Sequence, residues 1–357
     1  MDTLKLEISC ADLNNRESEA HKNVVRIASR LINQGELVAI PTETVFGLAA
    51  DAFNSKAVQK IFVAKSRPTD NPIIVHIAEI TELKYLAQEI PYKAEKLINK
   101  FWPGPLTIIF KKTKNIPEIT SGNLDTVAVR MPSLELSRDI IRASKTALAA
   151  PSANISGHPS PVSSAQVLQD LDGRIAGVIN IPGFTSGIGV ESTVIYITSH
   201  EEILLRPGFI TIKQIEAEIG DIKISPKITN INNCDDHCES SPGTRYRHYA
   251  PKTSLVILDC NQQKYIEFIK NLRKNCEKKY AALCFDEDKS ELVNIPCISY
   301  GSYKDPAEQC RRIFSALRNI DKLHVDIAYV RIPNKEGIGL AVFNRLIYAS
   351  GFNINKI

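Results

Sequence analysis

The chain is short of several things, and each absence excludes a class of protein. Its 357 residues contain no uninterrupted apolar run approaching the roughly 20 residues of a membrane span, and its start, MDTLKLEISC, lacks the basic segment and apolar stretch of a secretory leader. Positive charge is in small excess: 44 Lys and Arg against 40 Asp and Glu leave +4, which suits an anionic ligand and falls short of a nucleic-acid binder. The eight cysteines are scattered without the spacing of a disulfide framework, so they read as reduced thiols, with Cys284 and Cys297 as packing residues. No G-x-G-x-x-G follows the first strand of the second half, which removes the usual dinucleotide fingerprint. The expectation is a cytoplasmic protein without membrane contact, and 43% apolar residues over this length supply cores for two domains.

The stretch that organises the rest runs from Ile40 to Ile77. A short apolar strand over 37–40 ends at Pro41, and Thr42, Glu43 and Thr44 then stand at the mouth of a sheet, where small ligands bind. Asn54 or Ser55 caps a helix whose Val58, Ile61 and Phe62 share one face, and this helix delivers Lys65 and Arg67 at or just past its last turn. Pro68 and Pro72 forbid helix and fix the loop of Thr69, Asp70 and Asn71 before a second strand over 73–77, which carries His76. Taken alone, the stretch also reads as an ordinary βαβ unit whose Lys-x-Arg is a solvated helix end.

A helix over 19–34 covers one face of the sheet. Helical segments over 83–87 and 92–101 lead through Trp102-Pro-Gly-Pro105 into a strand over 106–110, with the tryptophan packing under the site. In 126–130 the period of two puts Thr126, Ala128 and Arg130 on one face and the valines on the other, so the polar face is either solvated or lines an anion cavity. After a helix over 134–144, a small-residue strand ends at Ala149 and Ala150, which allow close backbone approach. Ser152 and Asn154 follow at its end, and Ser160 lies in the next loop. A helix over 163–171 and a strand over 178–181 lead to the glycine-rich loop 183–189, whose flexibility would let Glu191, Ser192 and Thr193 close over a ligand. Strands over 194–197 and 203–205 end at Arg206, and a helix over 212–219 follows.

Residues 220–240 lose apolar periodicity and read as a connector. Cys234, His237, Cys238 and the more distant His248 are metal-ligand types, but their spacing matches no common structural zinc pattern, so no protein-held metal is expected. The segment SPGTRYRHYAP then packs two arginines, a histidine and two tyrosines closely together, suited to a base and phosphates or to strapping an acidic surface. Beyond it, strands over 255–258, 280–285, 298–300 and 326–331 alternate with helices over 263–276, 306–319 and 341–349, the pattern of a small parallel α/β domain.

The segments PTETVFGL, KSRPTDNPIIVHI, WPGPLT, DTVAVRMP, APSANISGHPSP, GVEST, LLRPG and SPGTRYRHYAP together resemble the YrdC-like family, in particular its long two-domain threonylcarbamoyl-AMP synthases, over nearly the whole chain. One departure is Thr244, where a methionine is usual. The resemblance implies an α/β fold with a YrdC-like twisted mixed sheet and helices around a basic cavity in 1–220. A linker or lid over 221–251 and a smaller Rossmann-like parallel domain in 252–357 would follow. It implies an enzyme making L-threonylcarbamoyladenylate and pyrophosphate from L-threonine, bicarbonate or CO₂, and ATP, with Mg²⁺ travelling on the ATP. The product would pass to other proteins for threonylcarbamoyl transfer to tRNA, with weak tRNA contact by this chain. Carried over residue by residue, Lys65, Arg67, Ser152 and Asn154 form the polar tetrad. Thr42, His76, Arg130, the backbone at Ala150, and Ser192 would hold threonine; Arg67, Asn71, Thr126, Ser152, Ser160, Arg206 and Tyr246 would hold the nucleotide.

Such a reaction needs no protein nucleophile. Three anionic components must share one cavity, so fixed cations and geometry carry the catalysis. Lys65, Arg67, Arg130 and Arg206 suit that task, Arg130 as a two-pronged grip on a carboxylate and Lys65 as a point charge on phosphate. A non-catalytic module binding double-stranded RNA or tRNA is the alternative, since a concave basic surface also accepts a phosphate backbone.

Overall fold

The computed structural model describes residues 2–199, 201–229, 249–275 and 278–357. The expected linker residue Tyr246 and the group Cys234, His237, Cys238 and His248 lie outside the described residues. Among the described residues two sheets form. The larger has eleven strands in the order Leu4–Glu7, Gly177–Asn180, Val38–Ile40, Gly47–Asp51, Leu148–Ala149, Ile74–His76, Thr126–Arg130, Leu106–Lys111, Thr193–Ile197, Glu202–Arg206 and Lys223–Ile224. Its pairings are mixed: Ile74–His76 runs parallel to Thr126–Arg130, for example, and Leu106–Lys111 antiparallel to it. The smaller sheet, Cys297–Ser299, Tyr280–Cys284, Ile327–Arg331, Ser254–Asp259 and Ile354–Lys356, is parallel throughout. The expected fold class is therefore the observed one.

Local sequence explains the element that opens the site. The Asn54 side chain accepts hydrogen bonds from the Lys56 and Ala57 amides and so caps the helix Ser55–Lys65, a contact worth about 1 kcal/mol. Val58, Ile61 and Phe62 bury one face of that helix in the core of the large sheet. Ser66 then adopts a left-handed conformation, with φ 51°, and ends it. That turn separates Lys65, on the last helical turn, from Arg67, which leaves in another direction.

Register across the centre of the large sheet sets the chemistry of one face. His76 pairs with Arg130, and Arg130 with Thr107, so three buried polar side chains form one row. One step along, Ile74, Ala128 and Ile109 form an apolar row, which continues into a small cluster with Val194 and Leu205. Val127 and Val129 point the other way, into the main core, as the alternation predicts.

The two sheets are joined by packing. Val45, Val162 and Val190 belong to the same apolar cluster as Phe314, Leu317, Val342 and Leu346 of the C-terminal helices Pro306–Ile320 and Gly339–Ser350. Trp102 is buried in the main core, and its indole N–H donates to the Leu106 carbonyl at 2.7 Å.

Candidate active site

A cleft with ≈ 620 Å³ of open space lies over the polar row. Its wall includes Thr42, Thr44, Arg67, Ile74, His76, Arg130, Ala150, Ser152, Glu191, Ser192, Arg206 and Tyr249. Strand ends and the loops after them supply nearly all of these, which is where α/β sheets gather ligands.

Arg130 is nearly fully buried and is held on three sides. Its Nε donates to the Gly104 carbonyl at 3.3 Å, its Nη1 to Thr44 Oγ1 at 2.7 Å, and its Nη2 to Glu43 Oε1 at 2.6 Å. A guanidinium has five N–H donors, so two remain for a ligand, in fixed orientation. Thr42 supports the same corner: its hydroxyl donates to the Val45 carbonyl at 2.6 Å and sits 2.9 Å from Thr44 Oγ1. Beside Arg130, burial, and after it the guanidinium itself, push His76 down to about 3, so its imidazole is neutral at any ordinary pH. Among the described residues its buried Nδ1 has no partner, which leaves a polar atom for a ligand to satisfy.

Arg206 crosses behind Ser192, donating through Nε to the Ser192 carbonyl at 3.0 Å and through Nη2 to its hydroxyl at 3.2 Å. The Ser192 hydroxyl also meets Thr107 Oγ1 at 2.7 Å, tying the loop to the polar row of the sheet. Gly208 makes this crossing possible, because a Cβ there would lie 2.3 Å from the Thr193 amide nitrogen. On the opposite wall Arg67 reaches the Asn71 and Pro72 carbonyls at 3.4 and 3.1 Å.

All five residues expected to hold threonine, Thr42, His76, Arg130, Ala150 and Ser192, meet in this wall, and so do Arg67, Ser152 and Arg206. Others stand elsewhere. The Lys65 ammonium, read from the sequence as a point charge facing phosphate, instead lies beneath the turn after Ala150. It donates to the Ser152 and Asn154 carbonyls at 2.5 and 2.6 Å, and burial, with Arg67 adding to it, holds it well below the usual lysine range. Asn154 is turned inward, its amide donating to the Ile155 and His158 carbonyls at 2.8 Å. Ser160 donates to Glu191 at 2.5 Å, and Asn71 is buried with neither end of its side-chain amide partnered among the described residues. Thr126 begins the strand that Arg130 ends, so the two stand roughly 13 Å apart on one face.

The glycine-rich loop also departs from expectation. Rather than swinging over the cleft, it is pinned: the Ile188 and Gly189 amides donate to the Glu43 and Thr44 carbonyls at 2.8 and 3.1 Å. Glu191, Ser192 and Thr193 beyond it are buried. Thr44 and Tyr249 are polar wall residues to which the resemblance assigns no substrate. Thr44 sat in view within the Thr-Glu-Thr run. Tyr249 lies three residues past the tyrosine that the resemblance selected, and no periodicity separates the two.

Among the described residues no group of three or more His, Cys, Asp and Glu side chains gathers as a cation cage. Among the described residues of the cleft wall the carboxylate is Glu191, and it already binds Arg345 and Ser160. No helix among the described residues is long and apolar enough to cross a membrane.

The Sua5/YciO/YrdC family profile, described as telomere recombination, matches residues 30–208, and the profile of the threonylcarbamoyl-AMP synthase C-terminal domain matches residues 210–351. The threonylcarbamoyl-AMP synthase of Pyrococcus abyssi is 42% identical over 342 residues, covering 93% of this chain and 96% of that protein. That of Bacillus subtilis is 41% identical over 327 residues, covering 91% and 92%. The crystal structure of P. abyssi Sua5 complexed with L-threonine superposes with a TM-score of 0.88 at 40% identity, over 99% of this chain and 100% of that one. Escherichia coli YciO, at 17% identity and a TM-score of 0.50 over 58% of this chain and 95% of its own, shares the fold of the larger sheet. The chain belongs to the Sua5/YciO/YrdC family and carries the C-terminal domain found in threonylcarbamoyl-AMP synthases.

Proposed function

We infer that this protein is an L-threonylcarbamoyladenylate synthase, a nucleotidyltransferase that joins L-threonine, bicarbonate-derived CO₂ and ATP. The observation that carries the reading is the convergence of Thr42, His76, Arg130, Ala150 and Ser192 on one cleft that Arg67 and Arg206 also line. The P. abyssi relative, solved with L-threonine, has the same overall fold.

In this reading the threonine carboxylate takes the two remaining N–H groups of Arg130, and the neutral His76 ring presents its unpartnered nitrogen to the same ligand. The threonine ammonium gives one proton to water, the resulting amine forms a C–N bond to CO₂ as one C=O electron pair moves onto oxygen, and loss of a second proton from nitrogen to water leaves the carbamate. A carbamate oxygen then bonds to the α-phosphorus of ATP, the bond from that phosphorus to the bridging oxygen breaks, and pyrophosphate leaves with the electron pair. Arg67 and Arg206 offset the repulsion between carbamate and triphosphate, in a water-poor site where such contacts are worth several kcal/mol. The apolar row of Ile74, Ala128 and Ile109 offers a bed for adenine, with Thr126 at its far end and Asn71 an unsatisfied amide nearby. Lys65 and Asn154 act one step back, fixing the turn that carries Ser152.

Mg²⁺ is assigned to the nucleotide, its ligands phosphate oxygens and water. The expected connector over 221–251 starts later than the sequence suggests, because Lys223–Ile224 pairs into the large sheet and Ile228 packs in its core; the stretch between Thr229 and Tyr249 is assigned as a lid, with Tyr246 over the nucleotide. The described chain resumes beside the cleft at Tyr249, and the Ala250 amide is tied to the Gly157 carbonyl at 2.8 Å. The adenylate would serve cytoplasmic proteins that transfer threonylcarbamoyl to tRNA, with weak contact between this chain and the tRNA itself. An omission assay tests the reading: pyrophosphate should appear from ATP only when threonine and bicarbonate are both present. Salt-sensitive RNA binding without that turnover would put the RNA-binding module in its place.

A further inference from the structure

Among the side chains that the C-terminal domain packs against the cleft wall is a buried cation. Arg345, on the helix Gly339–Ser350, is fully buried. Its Nε meets Glu191 Oε2 at 2.7 Å, its Nη2 the Glu191 carbonyl at 3.2 Å, and its Nη1 the Pro207 carbonyl at 3.0 Å. One guanidinium therefore holds both ends of Glu191 and the residue after Arg206. It also stands 5.6 Å from the centre of the Tyr249 ring.

Glu191 is the pivot. Its other carboxylate oxygen accepts from Ser160, and its successor Ser192 is the residue on which Arg206 rests. The backbone around it has no slack, since a Cβ on Gly189 would come 2.4 Å from the Arg311 Cα on the helix Pro306–Ile320. Burial pushes the Glu191 carboxyl up, and Arg345 and then Arg206 bring it below its ordinary value on balance. Lys65 and Tyr249 also share its field. With Arg345 gone, this buried carboxylate keeps the Ser160 hydroxyl, and Arg206, held on the adjoining residue Ser192, is the next cation whose charge acts on it.

We propose that Arg345 is a positioning residue for the nucleotide. By saturating Glu191, it keeps Arg206 on the Ser192 backbone facing the cleft rather than turned toward the carboxylate, so that the C-terminal domain completes the ATP site. The proposal rests on the reading of the cleft as an ATP and threonine site.

The test is ATP affinity by titration calorimetry with threonine present, on the full-length chain, with melting temperature as a check on folding. Arg345→Gln should weaken ATP about tenfold, because the uncompensated buried carboxylate draws Arg206 away from Ser192. Arg345→Lys, which keeps the charge, and the double variant Glu191→Gln with Arg345→Gln, which removes the competitor, should each stay within about threefold of wild type. Ser315→Ala removes a different interdomain contact, the hydrogen bond from Gln166 at 2.9 Å, and should match wild type. A merely structural Arg345 would leave the double variant no tighter than Arg345→Gln, and that result overturns the proposal. So does an Arg345→Gln affinity equal to wild type. If Arg345→Gln does not fold, a tenfold loss in Arg345→Lys or in the double variant overturns it equally, and retention in both supports it. A wild-type protein that binds ATP without making product would sink the proposed function and leave the affinity comparison to decide Arg345. A wild type that does not bind ATP sinks both.

Discussion

Glu43 Oε1 lies 2.6 Å from Arg130 Nη2, so the guanidinium assigned to the substrate carboxylate already has a protein carboxylate on one flank. Both side chains are largely buried, at 4% and 13% exposure, and the second Glu43 oxygen has no partner among the described residues. The pair sets direction: Glu43 and Thr44 aim Arg130, and the threonine carboxylate takes what they leave. Replacing Glu43 by Ala would strand a buried cation. It should lower unfolding free energy by about 3 kcal/mol in urea titrations, and an unchanged midpoint would show that the pair holds nothing in place.

His76 gives a pH dependence whose sign follows from linkage. Its folded value is about 3, against an ordinary 6.5, so the unfolded chain binds the extra proton across that window. Its contribution to stability is fully present above pH 6.5 and is lost as pH falls toward 3, by up to about 1.4 kcal/mol per pH unit. Urea titrations between pH 4 and 6.5 should show a shallower acid loss in His76→Asn than in wild type. The His76 ring resonances in wild type should stay flat from pH 5 to 8, and a titration near 6.5 would contradict the buried neutral ring.

Arg67 tests the nucleotide side. Its guanidinium lines the cleft while its neighbour Lys65 is spent on backbone carbonyls, so the two members of the Lys-x-Arg pair should behave differently. Arg67→Ala should cut turnover on the order of a hundredfold or more with melting temperature nearly unchanged. Lys65→Met should instead show up first as lost stability, because it unties the Ser152 turn. Near-normal pyrophosphate release from folded Arg67→Ala would remove Arg67 from the mechanism.

Tyr246 tests the lid. Replaced by Ala, it should raise KM for ATP about tenfold and leave KM for threonine within about threefold, since only the nucleotide lies under it in this reading. Equal changes in both would place the linker elsewhere.

Much of this was legible in the sequence, and the failures have physical causes. Capping residues and period two narrow the helix start to Asn54 or Ser55, of which Asn54 is the cap, put Lys65 and Arg67 at or just past the last turn, and mark the alternation of 126–130. The strand Gly47–Asp51 went unseen because Gly-Leu-Ala-Ala carries no β-branched residue and is buried along its length, so neither propensity nor alternation marks it. Sequence places Lys65 and Arg67 two apart and equally cationic. Only the left-handed turn at Ser66 sends one under the loop and the other into the cleft. Arg345 was beyond reach for a different reason. Its partner is 154 residues away, and on an apolar helix a lone arginine looks like an exposed one.

The central claim is that the cleft assembles one molecule containing all three substrates. The most direct measurement is isotopic: incubate the protein with ATP, L-threonine and ¹³C-bicarbonate, and analyse the adenylate product by mass spectrometry. The account predicts a threonine-containing adenylate carrying a single ¹³C, absent when any one substrate is withheld. AMP and pyrophosphate released without threonine, or an adenylate free of ¹³C, would contradict it.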